Sequence, residues 1–422
     1  MNRFFSINNR KERLERAQEL ADLGSKAIQT GNFSEAWLFY QEAFLIRIEE
    51  LGPEAPLVNQ TADQLGEGIL QSRQFSEARA FFLQSLEQIA EPQDATYAAL
   101  GRLIERIGTY MNGQEETQLY EANFSPLVEA RSWYETALPV YRKAFGAEDR
   151  QVLFLLQRMV GLNYNLGDLP EAKKVLEQVL TLDRNIFGQD HIKLASDLSS
   201  MGNIERGLGN LPEAKRCYEQ AVAIHEQTLN PDNPRLAIEL NNLAEINRSI
   251  GDLLGAKACY QRVLTIDQHT FGIQHPKVSM DLCNLGELLE QLNQLDEAQG
   301  YLEQSVRMNE QIFGSDHAQV ASVLSLLGKV YRRQGNLAAA QESFAHALAI
   351  NEHAFNPTHP KVAHDLLDLG SVNQQIGAPQ EAQKHFQRAL AIFETYLPAN
   401  HPDILKVKET LRQIAADHSP TE

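Results

Sequence analysis

A chain of 422 residues with 43% hydrophobic content has enough apolar surface for a continuous core, which excludes wholesale disorder. Its 38 Lys and Arg against 56 Asp and Glu leave a formal charge of −18. Such a field repels phosphate backbones and anionic lipid heads, which argues against nucleic-acid or membrane binding as the main role. No apolar stretch reaches bilayer length, so no membrane insertion is expected.

Residues 1–9 read as a tail. The opening MNRFFSINNRKERLERA places no apolar core behind its charges and does not read as a secretory signal. From residue 10 to residue 401 one pattern recurs. Alanine stands at Ala36, Ala78, Ala130, Ala172, Ala214, Ala256, Ala298, Ala340 and Ala382, at intervals of 42 residues except one of 52. Five residues ahead of each lies a turn position: Gly31, Arg73, Ser125, Gly167, Gly209, Gly251, Asn293, Gly335 and Gly377. Four residues beyond each comes a ring or Leu, from Tyr40 and Phe82 through Tyr260 and Leu302 to Phe344 and Phe386. Upstream sits a Leu-Gly-like pair, among them Leu23-Gly24, Leu285-Gly286, Leu327-Gly328 and Leu369-Gly370.

Two antiparallel helices per repeat account for this. In the repeat from Asn233 to Gly272, Leu236, Ala237, Leu240, Leu243 and Ala244 recur at three- and four-residue spacing and mark one helix face. Gly251 supplies a left-handed residue to end that helix, and a second begins near Leu253. Small residues at the paired positions let the backbones approach while the ring fills the space between them. Neither helix can bury its stripe alone, so the repeats must stack. A coiled coil, which a period of six heptads would allow, is excluded by the recurrent Gly and Pro.

The third repeat departs from the pattern. Its first helix is expected to end near Gly108 and its second to begin near Pro126, leaving an insertion at about 109–124, which reads as a surface loop. Pro139 is expected to kink or end the second helix early. Phe39, Phe81 and Trp133 occupy one repeat position and read as a thickened core, with an apolar partner pocket as the alternative. Later linkers rhyme as Phe271-Gly272…His275-Pro276 and Phe355-Asn356…His359-Pro360, which place His or Asn233 at a helix cap and Pro at the first helical position. Residues 402–418, with Ile404, Val407, Leu411 and Ile414 on one face, form a capping helix, and 419–422 a tail. The fold expected is therefore an all-α superhelical solenoid of about nine helix-turn-helix repeats plus a C-terminal capping helix.

With these positions in place, the chain resembles the long, 42-residue tetratricopeptide repeats of kinesin light chains. The stretch FGIQHPKVSMDLCNLGELLEQLNQLDEAQGYLEQSVRMNEQIFG, Phe271 to Gly314, is close to that family's pattern, and the resemblance covers roughly residues 10 to 418, counted by repeats. Kinesin light chains carry a long heptad segment ahead of their repeats, which binds the motor heavy chain. Here the first repeat begins almost at once, so no motor-adaptor role is expected.

The repeats leave no room for a catalytic domain, and no phosphate-binding glycine loop or catalytic triad stands out, so no enzyme and no cofactor are expected. His191, His275, His317, His359 and His401 recur at the linker position and are spread along the stack, so no metal site is expected. Cys217 and Cys259 share a repeat position, and stacking at roughly 8–10 Å holds them beyond disulfide reach. With Cys283 the only other cysteine, a reducing cytoplasm is the expected location.

What the resemblance implies is a protein-interaction scaffold or assembly adaptor, with first helices lining a concave groove that holds a segment of a partner protein. Asn203 and Asn242 match the asparagine pair of the carboxylate-clamp variety, and Asn284 repeats Asn242 one unit on. An Asn amide offers donor and acceptor and can bond a peptide group without reading its side chain. The clamp's basic partners fall on Ser199, Met280 and Asn284, so a free C-terminal carboxylate is not the expected ligand. One turn further lie Arg206, Arg248, Glu290, Arg332 and Gln374, with Arg333 beside Arg332. Three arginines facing the groove would favour acidic segments, whereas arginines paired to neighbouring Glu would be a solvated face. Two alternatives remain open: a peptide-responsive regulator, and a non-catalytic accessory subunit of an enzyme complex.

Overall fold

The computed structural model describes residues 10–89, 95–113 and 125–417. The two tails and residues 114–124, which hold most of the expected insertion, lie outside the described residues. Among those described there are helices and no strands: nine consecutive helix pairs followed by a nineteenth helix. The chain divides into two compact units, Met1–Cys217 and Tyr218–Glu422.

The first unit contains α1 (Arg10–Gln29), α2 (Phe33–Leu51), α3 (Pro56–Ser72), α4 (Phe75–Glu87), α5 (Ala95–Asn112), α6 (Pro126–Phe145), α7 (Arg150–Asn165), α8 (Leu169–Phe187), α9 (Ile192–Gly207) and the start of α10 (Leu211–Thr228). Close approach of paired helices explains the recurrent small residue. A methyl group on Gly24 would lie 2.8 Å from the Tyr40 ring, which buries its edge there and bonds Ser25 Oγ through its hydroxyl at 2.8 Å. The aromatic position is core: Trp133 is buried and meets Phe82 at 6.1 Å, while half-buried Phe81 packs on Trp37 at 6.0 Å and on Phe82 at 5.2 Å.

Three expectations for the third repeat need correction or narrowing. Helix α5 runs past Gly108 to Asn112, because Ile107, Gly108 and Met111 continue its buried face. Ser125 is not the turn position expected: with φ −123° it stands in extended backbone as the N-cap of α6. Of the two outcomes expected at Pro139, a kink or an early end, the early end is excluded, since α6 continues to Phe145. Burial of Ala137, Val140 and Tyr141 on either side of the proline outweighs the one lost backbone bond.

The second unit contains the rest of α10, then α11 (Pro234–Ser249), α12 (Leu253–Phe271), α13 (Pro276–Gln291), α14 (Leu295–Phe313), α15 (Ala318–Arg333), α16 (Leu337–Ala354), α17 (Pro360–Ile376), α18 (Pro379–Tyr396) and α19 (Pro402–Asp417). A methyl group on Gly286 would sit 2.5 Å from Leu302 Cγ, and one on Gly328 would sit 2.7 Å from the Phe344 ring. Helices α12, α14 and α16 also pack on the first helix of the following pair, so one core cluster draws on Leu289, Leu302, Val320, Leu324 and Ala347 together. Helix α19 buries Ile404, Val407 and Ile414, with Leu411 half-buried beside them, in the cluster of α17 and α18. The turn between paired helices requires φ > 0, and Asn293 adopts φ 60° where its neighbours in register carry glycine.

The linker histidines are helix caps. The Nδ1 atoms of His191, His275, His317 and His359 accept the backbone N–H two residues on at 3.2 Å, and Asn233 does the same through Oδ1 at 3.0 Å. Each of these four rings stacks on the preceding Phe, as His275 does on Phe271 at 4.7 Å. Lys277 also lies over the Phe271 ring at 4.7 Å. Their recurrence reflects helix initiation, and among the described residues no group of three potential ligands is placed to hold a metal ion.

Candidate peptide-binding face

The candidate residues all stand on first helices. In the first unit, α9 carries Asn203 and Arg206 one turn apart, and exposed Arg206 donates to Asn203 Oδ1 at 3.4 Å. This is an (i, i+3) contact within one helix. On α7, exposed Phe154 lies under the Arg158 guanidinium at 5.2 Å, and Arg158 is held by Glu105 at 2.7 Å.

In the second unit, α11 and α13 present one arrangement twice. Asn242 and Asn284 are half-buried, and neither side chain makes a hydrogen bond among the described residues. Four residues before each, on the same side of its helix, stands an exposed apolar residue: Ile238 at 54% and Met280 at 53%. Sequence alone does not single out this apolar pair, although both residues occupy one repeat position ahead of the asparagines.

One turn further along, the charges are largely satisfied within the chain. Arg248 pairs with Glu245 at 3.4 Å and with Glu287 of the next repeat at 3.2 Å. Against the cost of burial, Glu287 and Glu245 hold the Arg248 guanidinium above its usual range. Glu245 also accepts the Tyr260 hydroxyl, and burial together with that bond pushes the phenol up. Arg333 donates to Glu290 at 2.6 Å and to Asn293 at 2.9 Å. Half-buried Arg332 acts on Asp368, whose carboxyl burial pushes up against the opposing pull of Lys329, 3.8 Å away, and of Arg332. An even basic strip is therefore not what α11, α13 and α15 display: Arg248 is neutralised between two acids, while Arg332 keeps a cationic head beside one.

A tetratricopeptide repeat family model matches residues 153–227, 194–268, 235–311, 282–353 and 319–395, overlapping windows that together take in more than half of the chain. No curated protein sequence matches it. Among solved structures, BtubC (BKLC) from P. vanneervenii is similar at 22% identity over 58% of this chain and 95% of its own, with a TM-score of 0.45. Nearly identical tetratricopeptide-like repeats of kinesin light chain type from Podosopora anserina are 23% identical over 48% of this chain and 96% of theirs, with a TM-score of 0.45. A signal transduction ATPase with numerous domains and a tetratricopeptide repeat sensor, from Pyrococcus horikoshii, is 13% identical over 89% of this chain and 55% of its own, with a TM-score of 0.51. At that identity the likeness is one of fold alone.

Proposed function

Because the chain belongs to the tetratricopeptide repeat family, we propose that it is a non-enzymatic interaction scaffold or assembly adaptor of the cytoplasm, holding an extended segment of a partner protein along its first helices. The observation that carries this reading is the repeated pair on α11 and α13. Asn242 and Asn284 have unused amide donors and acceptors, each beside an exposed apolar side chain, Ile238 or Met280. An extended backbone needs a donor and an acceptor at intervals, and its alternate side chains need apolar contact. Arg332 and, in the first unit, Arg206 and Asn203 are proposed as further contacts, the arginines to acidic side chains of the segment. Arg248 belongs to the same face, where it fixes Glu245 and Glu287 in place and contributes little cationic attraction of its own.

The test is selection of peptides from a random display library on the full chain, followed by titration. The paired substitution Asn242→Ala/Asn284→Ala removes two peptide hydrogen bonds at about 0.5–1.5 kcal/mol each, so affinity should fall about tenfold or more. Met280→Glu should weaken binding to a similar extent. Unchanged affinity in both variants, with helical content intact by circular dichroism, would remove this face from consideration.

A further inference from the structure

Where a second helix packs on the first helix of the next repeat, two positions fourteen residues apart meet in the buried interface. In the second unit two of these position pairs hold Asp267 on α12 with Asp281 on α13, and Asn351 on α16 with Asp365 on α17, while His225 and Glu239, both buried, take the same positions one repeat before the first. The second pair is a conventional one. Asn351 Nδ2 donates to Asp365 Oδ2 at 2.6 Å, and Ser325 Oγ donates to Oδ1 at 3.1 Å, so the carboxylate has partners whatever the pH.

The first pair has no such donor. Asp267 is 4% exposed and Asp281 0%, and neither oxygen of Asp281 nor Oδ1 of Asp267 meets an N–H or O–H of another residue. The two acids occupy the register positions that Asn351 and Asp365 fill with a direct bond, and each acts on the other. Carboxylates are acceptors only, so a bond between these two forms only when one of them carries a proton. Two buried like charges without donors would repel in a low dielectric. The groups acting on the pair are Lys277 and His275, both at the head of α13. The first unit repeats the motif with Asp183 on α8 and Asp197 on α9, where Gln157 and Lys193 oppose the effects of burial and of the neighbouring acid.

We propose that Asp267 and Asp281 form a proton-operated latch between the repeat α11–α12 and the repeat α13–α14, closed while they share a proton and loosened when it is lost. Burial, followed by the neighbouring Asp267, pushes Asp281 up to about 7. A carboxyl raised on folding contributes stability that is complete below its unfolded value near 3.8 and is lost as pH rises through about 7. The latch therefore loosens toward alkaline pH. Helices α11 and α13 also carry Asn242 and Asn284, so partner affinity would follow the same proton. That consequence alone rests on the function proposed above, and the latch is tested without any peptide.

The experiment is amide hydrogen exchange on the full chain, read by mass spectrometry over α12 and α13 from pH 6 to pH 9 and corrected for intrinsic rates. A His275→Asn/His269→Gln background keeps the cap and removes the imidazole that pairs with Asp232, so the slope belongs to the acids. Opening of α12–α13 should rise about tenfold across this range, since one proton is lost only from the closed form. Opening of α16–α17, read in a His359→Asn background for the same reason, should rise less, because Asn351 and Ser325 hold the Asp365 carboxylate against the upward push of its burial. Asp267→Asn supplies a permanent donor and should flatten the α12–α13 profile and lower its opening at pH 9. Should that variant fail to fold, Asp281→Asn serves the same purpose, and the parent profile stands by itself. A level parent profile, or an Asn variant with the parent's slope, would overturn the latch.

Discussion

The head of α13 and the exposed face of the same helix treat their side chains in opposite ways. At the head, His275 caps the helix, stacks on Phe271 and shares that ring with Lys277, so every group is engaged by a neighbour. A turn or two along, Met280 is exposed and Asn284 has no bonding partner among the described residues. The head is spelled nearly the same way in repeat after repeat, whereas the face changes from Ile238 and Met280 to Ser322 and His364. Residues that recur are engaged in building the stack. Those that vary, and remain unengaged, are the ones proposed above to meet a partner.

This contrast can be broken from either side. The largest effect is expected inside the stack. At Gly286 even a single methyl would lie 2.5 Å from Leu302 Cγ. Gly286→Val forces branched atoms into that space and should cost about 2–3 kcal/mol in chemical denaturation. His275→Ala removes a cap and a stacked ring and should cost about 1 kcal/mol, most visibly as faster exchange in the first turn of α13. The smallest effect on stability belongs to the face: Asn242→Ala/Asn284→Ala should change it by no more than about 0.5 kcal/mol, although the same pair should dominate peptide affinity. A large stability loss from the asparagine pair would mean that the face is structural after all, and the contrast would disappear.

The fold was legible because nine registers average out local ambiguity. The glycine beside each ring, the left-handed turn and the capping His each follow from a steric or hydrogen-bonding need that recurs. Legibility failed where the register was interrupted: the end of α5 and the N-cap role of Ser125 lie on either side of the insertion, where no neighbouring repeat supplies the spacing. Of the candidate face, the asparagines were visible as a spacing, but their freedom was not. Nor were the ties of Arg248, since Glu287 lies 39 residues away in sequence and reaches it only through the stacking of α11 and α13. The exposure of Ile238 and Met280 was hidden for a related reason. Apolar residues at helical spacing look alike whether they face a neighbouring helix or solvent. The Asp267–Asp281 pair was hidden too, because acids fourteen residues apart in a chain of charge −18 read as solvated surface until packing brings them together.

The central claim is that a partner segment lies along the exposed face of α11 and α13 that carries Ile238, Asn242, Met280 and Asn284. Its most direct test is photo-crosslinking of a selected peptide to the full chain, with a benzophenone amino acid in place of Met280 and, as a control, in place of Leu254. Both positions are exposed, Leu254 at 71%, but Leu254 stands on the second helix α12. A peptide adduct is expected at position 280, competed by unlabelled peptide, and none at 254. An adduct at 254 with none at 280 would contradict the claim.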